Sequence, residues 1–303
     1  MTSNSNRILT IIKWLWFLIV LLGAGYYIST NLEPVIEWVN KIQAHKIIIS
    51  FLLLIIWKFL FAKFMRLTLV ENEIQISYID FVKIISATEI GKYIPGGIWH
   101  FFGRYSIYRQ RSMTNKNIIY SIISENFWLL SSSISFGGAI SIYLASNQIC
   151  EIFQISNSQI FIILVIGVWL AIWISVATIL TQKINSSKSQ HLIYSLSLIL
   201  LSISSWLLLG ISFSVLFIKI DTISLVKLIG GYSLGWAAGY VSIFAPAGIG
   251  VREAIISLVA SGRVNAENII LTASAHRMIL LLVEMLFWIT FGFRIKFDPI
   301  EKG

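Results

Sequence analysis

The sequence predicts an all-α, polytopic integral membrane protein with about six full spans and two re-entrant Pro-Gly helical hairpins, arranged as two inverted repeats. Three observations carry this expectation. The 303-residue chain is 57% hydrophobic and only 12% charged, about half the charged share of a soluble domain, and its mean hydropathy is +0.82. Apolar runs long enough for a bilayer recur between short polar gaps. Two further apolar segments are broken near their middles by proline and glycine. This balance excludes a water-soluble fold, and a single cysteine, Cys150, excludes a disulfide scaffold and a cysteine-ligated metal centre. A net charge of +9 would suit nucleic acid, but most basic residues sit between apolar runs, where they set membrane orientation and meet anionic lipid.

The elements follow in order. A hydrocarbon core of roughly 30 Å needs about 20 mostly apolar residues per helix. Residues 8–28 form the first such run, too long and without the small-x-small site of a cleaved signal peptide. The second is 47–64. Residues 79–104 are apolar but broken at Tyr93-Ile94-Pro95-Gly96-Gly97-Ile98. Proline removes a backbone donor and glycine loosens the chain, so the segment reads as helix, turn, helix, entering and leaving on one side. The third, fourth and fifth spans are 118–144, 160–180 and 192–217. Residues 227–262 repeat the broken pattern at Phe244-Ala245-Pro246-Ala247-Gly248-Ile249-Gly250, and 269–293 form the last span.

Charge orients the set. The gap at 145–159 contains no Lys or Arg and should face outward. Arg7 and Lys13, the stretch from Lys63 to Lys116, Lys183 and Lys188, and Arg294, Lys296 and Lys302 then lie on the cytoplasmic side. Outside remain Lys41, Lys46, Lys219, Lys227 and Arg263. The expectation is a plasma (inner) membrane protein with both termini cytoplasmic.

The two breaks also share a register. Pro95 and Pro246, Gly97 and Gly248, and Ile98 and Ile249 pair at one offset of 151 residues. The single transmembrane domain, 1–303, thus divides into repeat one, about 1–151, and repeat two, about 152–303. Each half has three crossings, an odd number, so the second lies inverted and the hairpins enter from opposite sides. Inverted repeats with broken helices in corresponding places point to a transport site at their interface.

A charge at bilayer depth costs at least about 2.5 kcal/mol on insertion scales, so retained charges should be paired or line a wet cavity. The first half keeps Glu89, Lys92, Arg104 and Glu125, and the second keeps Arg252, Glu253, Arg277 and Glu284. New helices are expected to start at about Ile98 and Val251. Their free N–H groups, with Arg104 or Arg252 nearby, would suit a phosphate, while Glu125 and Glu253 would neutralise those arginines in its absence. A structural ion-pair network that merely pins the hairpins is the competing reading. The expected binding set is Lys92, Pro95, Gly96, Gly97, Arg104, Glu125, Pro246, Gly248, Gly250, Arg252, Glu253 and Arg277.

Lesser features read as structural. Lys58 is expected to snorkel to the cytoplasmic face. The Gly231, Gly235, Gly239 stripe should allow close helix packing. Trp14, Trp16, Trp38 and Trp206 should be interfacial or lipid-facing aromatics. His276 and Arg277 are adjacent on a helix and cannot face one cavity together. His100 and His276 lack a second histidine or cysteine at ligand spacing, so no metal and no cofactor is expected.

The run Lys92-Tyr93-Ile94-Pro95-Gly96-Gly97-Ile98-Trp99 with Gly103-Arg104, and the run Pro246-Ala247-Gly248-Ile249-Gly250-Val251-Arg252-Glu253, resemble the two signatures of the lysylphosphatidylglycerol synthase transmembrane region, or flippase-like domain family. The resemblance covers nearly the whole chain, and Arg277 also looks like a family feature. The departure is Ala247, where the second signature usually has glycine. In multiple peptide resistance factors this type of domain moves aminoacylated phosphatidylglycerol between leaflets, and a separate cytosolic domain makes it. The chain ends at Gly303, so the soluble synthase domain is expected to be absent and aminoacyl transfer is not implied.

The resemblance implies a non-enzymatic lipid or lipid-linked glycan translocase whose partners are a membrane lipid or polyprenyl-linked glycan and separate lipid- or glycan-synthesising enzymes. Homo-oligomerisation stays open, and nucleic acid is not a partner. Two alternatives stand beside it. One is a membrane glycosyltransferase using polyprenyl-phosphate sugars, with Glu33 and Glu37 as acid and base. The other is an accessory subunit of a cell-envelope glycan export system.

Overall fold

The computed structural model describes residue 36 and residues 42–69, 76–93, 98–152, 158–184, 191–242 and 248–293. The first expected span at 8–28, Glu33 and Glu37, and the tips of both breaks (94–97 and 243–247) lie outside the described residues. Pro95, Gly96, Gly97 and Pro246 fall there, as does Ala247.

The described residues form ten α-helices and no strand. We number them α1 (Ala44–Leu67), α2 (Tyr78–Glu89), α3 (Trp99–Gln110), α4 (Asn115–Leu144), α5 (Ser146–Ile152), α6 (Ser158–Ile184), α7 (His191–Ser214), α8 (Thr222–Val241), α9 (Val251–Val259) and α10 (Ala266–Phe287). A short 3-10 turn, Ile90–Tyr93, follows α2, and a π-helical turn, Trp288–Gly292, ends α10. Five stretches are long and apolar enough to cross a membrane: Ala44–Leu67, Asn115–Leu144, Ile160–Ile179, Ile193–Ser214 and Ala266–Gly292. The chain is an integral membrane protein built of helices.

Local chemistry sets the helix starts. Ser77, Thr114 and Asn265 are extended N-caps whose side chains accept from the backbone N–H of Asp80, Asn117 and Glu267. Each cap satisfies a donor that the first turn leaves free. The breaks act differently. At 12 residues each, α2 and α3 rise only about 18 Å, too little to cross a core of roughly 30 Å.

Both broken segments fold back on themselves as antiparallel pairs. A Cβ at Gly91 would meet His100 N at 2.7 Å, and Arg104 reaches back to Thr88 and Glu89. In the second segment a Cβ on Gly231 would meet Val259 and Ile256, one on Gly235 would meet Arg252 O at 2.8 Å, and one on Gly239 would meet Gly248 Cα at 3.2 Å. As numbers rise along α8 they fall along α9. The small-residue stripe therefore lets the two backbones approach, as expected of its spacing.

Helix α1 packs along α7. Helix α8 packs on α4 and α7 as well as α9, and α2 packs on α1 and on the π-helical turn. Leu54, Phe61, Phe213, Val283 and Phe287 sit in this core. The apolar window of α6 is only 17% buried and that of α7 is 50% buried, which puts α6 at the lipid-facing rim and α7 at the centre. Polar contacts hold the central helices together. The Ser133 hydroxyl donates to Ser233 O at 2.6 Å and the Ser233 hydroxyl to Ser133 O at 2.9 Å, joining α4 to α8. Trp206 is not lipid-facing: it is 3% exposed and its indole N–H donates to Ser132 Oγ at 2.9 Å. That buried hydroxyl outweighs the preference of tryptophan for an interface.

Candidate functional site

The charges of the first half form a continuous chain with Glu284 of the second half. Arg104, from α3 and 1% exposed, pairs with Glu89 at the end of α2 and with Glu125 of α4. Glu89 accepts from Lys92 in the 3-10 turn at 3.3 Å, and Lys92 also reaches Glu284 of α10 at 2.6 Å. Glu284 in turn pairs with Lys58 of α1 at 3.4 Å. The order is Lys58, Glu284, Lys92, Glu89, Arg104, Glu125: three cations and three carboxylates, with no net charge. Pairing of this kind is what makes burial of each ion tolerable.

Lys58 does not snorkel. Its ammonium lies between Glu284 and the faces of Trp57 and Phe61, 5.7 and 5.8 Å from the ring centres. A neighbouring carboxylate and two aromatic faces replace water there, so the stem has no reason to reach the surface. Lys92 is the most open member, with its side chain 31% exposed. Arg104 is enclosed by two carboxylates and the Thr88 hydroxyl.

The charges at the second break are arranged differently. Gly250 (φ +85°) starts α9 and its N–H donates to Glu253 Oε2 at 2.8 Å, so the first turn is partly capped by its own carboxylate. The other oxygen of Glu253 pairs with Arg277 at 2.8 Å, not with Arg252 as expected. Glu253 points back at its own N-cap, and Arg277 is the cation that α10 presents there. Arg252 lies over Tyr232 at 6.0 Å, and its buried Nε has no hydrogen-bond partner among the described residues. Among the described residues no carboxylate lies within ion-pair distance of Arg252.

Beside it, His276 is fully buried. The Ser212 hydroxyl, which reaches Leu209 O at 2.8 Å, lies within hydrogen-bond distance of His276 Nε2 at 2.9 Å, and the Tyr232 hydroxyl of Nδ1 at 3.2 Å. Both ring nitrogens of His276 are thus met by hydroxyl groups. His276 and Arg277 diverge, one to α7 and α8 and the other to the break.

The described residues thus bring together Lys92, Arg104 and Glu125 in one set, and Gly248, Gly250, Arg252, Glu253 and Arg277 in another. Sequence reasoning noted Glu89 and Glu284 as retained charges but left them out of the binding set, and it misassigned Lys58. No group of three or more His, Cys, Asp or Glu among the described residues is placed to hold a metal ion. Fold and site define the class: an integral helical membrane protein with ion pairs buried between its helices. No protein-family model and no curated protein matches the chain.

Proposed function

We propose that the protein moves a lipid, or a lipid-linked glycan, with an anionic headgroup between leaflets, with the headgroup held between the two broken segments. The observation that carries the reading is the asymmetry between the charge sets. Among the described residues the first is neutral, whereas the second holds two arginines against one glutamate and leaves Arg252 without a carboxylate at a helix start. An unpaired cation at membrane depth invites an anion.

The element order supports the transport architecture of six full spans, two re-entrant hairpins and two inverted repeats. Asn115 and Ala266, the first residues of α4 and α10, are again 151 residues apart. Neighbours also exchange as a two-fold relation requires: α4 packs on α8 while the π-helical turn of α10 packs on α2, and α7 meets α4 while α1 meets α10. The close approaches recur, with Gly137 against Gly230 O and Gly292 against Ser86 and Ala87. With the 145–159 gap outside, the termini are cytoplasmic and the membrane is the plasma (inner) membrane. No nucleotide motif is present, so the driving force is a gradient or downstream consumption.

The test is reconstitution of the full chain into liposomes carrying headgroup-labelled phosphatidylglycerol or phosphatidylcholine. Leaflet exchange of phosphatidylglycerol above the protein-free rate is expected. Folded protein that moves neither lipid would overturn the proposal.

A further inference from the structure

At the end of the bundle where α8 and α10 begin, the loop after α7 and the loop after α9 enclose a cleft of about 210 Å³. That is room for a small polar group. Lys219, Asp221, Arg263 and Asn268 are at its mouth, and Thr272 forms part of its wall.

Two helix starts converge there, at Asp221 before α8 and Asn265 before α10. Their dipoles add positive potential to Lys219 and Arg263. Asp221 offsets part of it: its carboxylate accepts from Ser224 and stands 3.7 Å from Arg263. Two cations remain against one anion.

The independent observation is Thr272. Its side chain is fully buried, it lines the cleft, and its hydroxyl makes no hydrogen bond among the described residues. Ser86, Thr88, Ser212 and Ser214 bond back along their own helix, whereas Thr272, like Ser50, Ser131 and Ser141, has no such bond; of these four, Thr272 is the one that lines the cleft. An unmet buried hydroxyl is costly unless something else meets it. Thr272 also stands one turn from Asn268 and one turn from His276 on α10, so a polar stripe leads from the mouth of the cleft towards Tyr232 and Arg252.

We infer that this cleft binds a phosphate-bearing polar group: Lys219 and Arg263 take the phosphate oxygens, and Asn268 and Thr272 take a neighbouring hydroxyl or ester oxygen. The site is separate from Arg252, and binding there does not depend on lipid movement.

The test uses the folded full chain in detergent and in nanodiscs. Glycerol 3-phosphate is titrated by calorimetry, and phosphatidylglycerol retention against phosphatidylcholine is read by native mass spectrometry. One equivalent of at least one probe is expected; the soluble arm identifies a free phosphate compound, and the lipid arm alone identifies a headgroup. The double variant Lys219→Gln, Arg263→Gln should weaken binding at least about tenfold, because two charged donors are lost. The isosteric Thr272→Val should weaken it about fivefold. No binding of either probe to the folded wild-type chain overturns the inference. So does binding that survives both substitutions, or that falls with Arg252→Gln instead.

Discussion

Replacing Glu284 by glutamine keeps the shape of the side chain and removes one charge from a neutral six-member chain. Among the described residues Lys58 then has no carboxylate within ion-pair distance, whereas Lys92 keeps Glu89 at 3.3 Å. At separations of 3.4 and 2.6 Å, an effective dielectric constant of about 20 gives gross attractions of about 5 and 6 kcal/mol. Most of the second is recoverable, since Lys92 is 31% exposed and can hydrate. The first is not, because Lys58 is 1% exposed. Breaking one such buried pair costs a net of about 3–5 kcal/mol, and Glu284→Gln is expected to lose that much. The assay is equilibrium unfolding in mixed micelles followed by tryptophan fluorescence. Adding Lys58→Met restores neutrality, leaving Lys92 and Arg104 against Glu89 and Glu125, and should recover at least about half the loss. A cost below about 1 kcal/mol for Glu284→Gln, or a double variant no more stable than the single one, would refute the pairing argument.

Three further outcomes are expected. Arg104→Gln faces Glu89 with Glu125 and leaves both without their arginine, so it should destabilise by about 3–5 kcal/mol, and adding Glu125→Gln should restore part of that in the same unfolding experiment. Gly248→Ala combines a φ of +69° with a Cβ only 2.6 Å from Gly239 Cα. A loss of at least about 2 kcal/mol should appear as a lowered melting temperature, while Gly167→Ala, with open space around it, should not lower it. Ser133→Ala removes one interhelical hydroxyl bond and should cost only about 0.6 kcal/mol, read by the same melts.

Much of the scaffold was legible in local chemistry. Runs of about twenty apolar residues marked the five described crossing helices, with starts only a few residues from the observed ones: 47 against Ala44, 118 against Asn115 and 269 against Ala266. The breaks were legible because proline and glycine act on the backbone where they stand. What stayed hidden was partner choice at a distance. Lys58 and Glu284 are 226 positions apart, and nothing in either neighbourhood says that one completes the other. Lys58 looked like a snorkelling residue because its stem could reach the surface; only the packing of α10 on α1 gives it a better partner. Glu253 followed the same logic, since its neighbour Arg252 in sequence is not its neighbour in space. Trp206 was misread because a buried serine acceptor on α4 cannot be seen from α7.

The asymmetry of the two charge sets makes Arg252 the residue on which the account turns. The most direct measurement is the leaflet-exchange rate of headgroup-labelled phosphatidylglycerol in liposomes holding equal amounts of folded wild-type or Arg252→Gln protein. Loss of a charged hydrogen bond of about 1.5–3 kcal/mol corresponds to a rate at least about tenfold lower in the variant, with insertion and melting temperature unchanged. Equal rates in the two proteins would contradict the claim that Arg252 receives the headgroup.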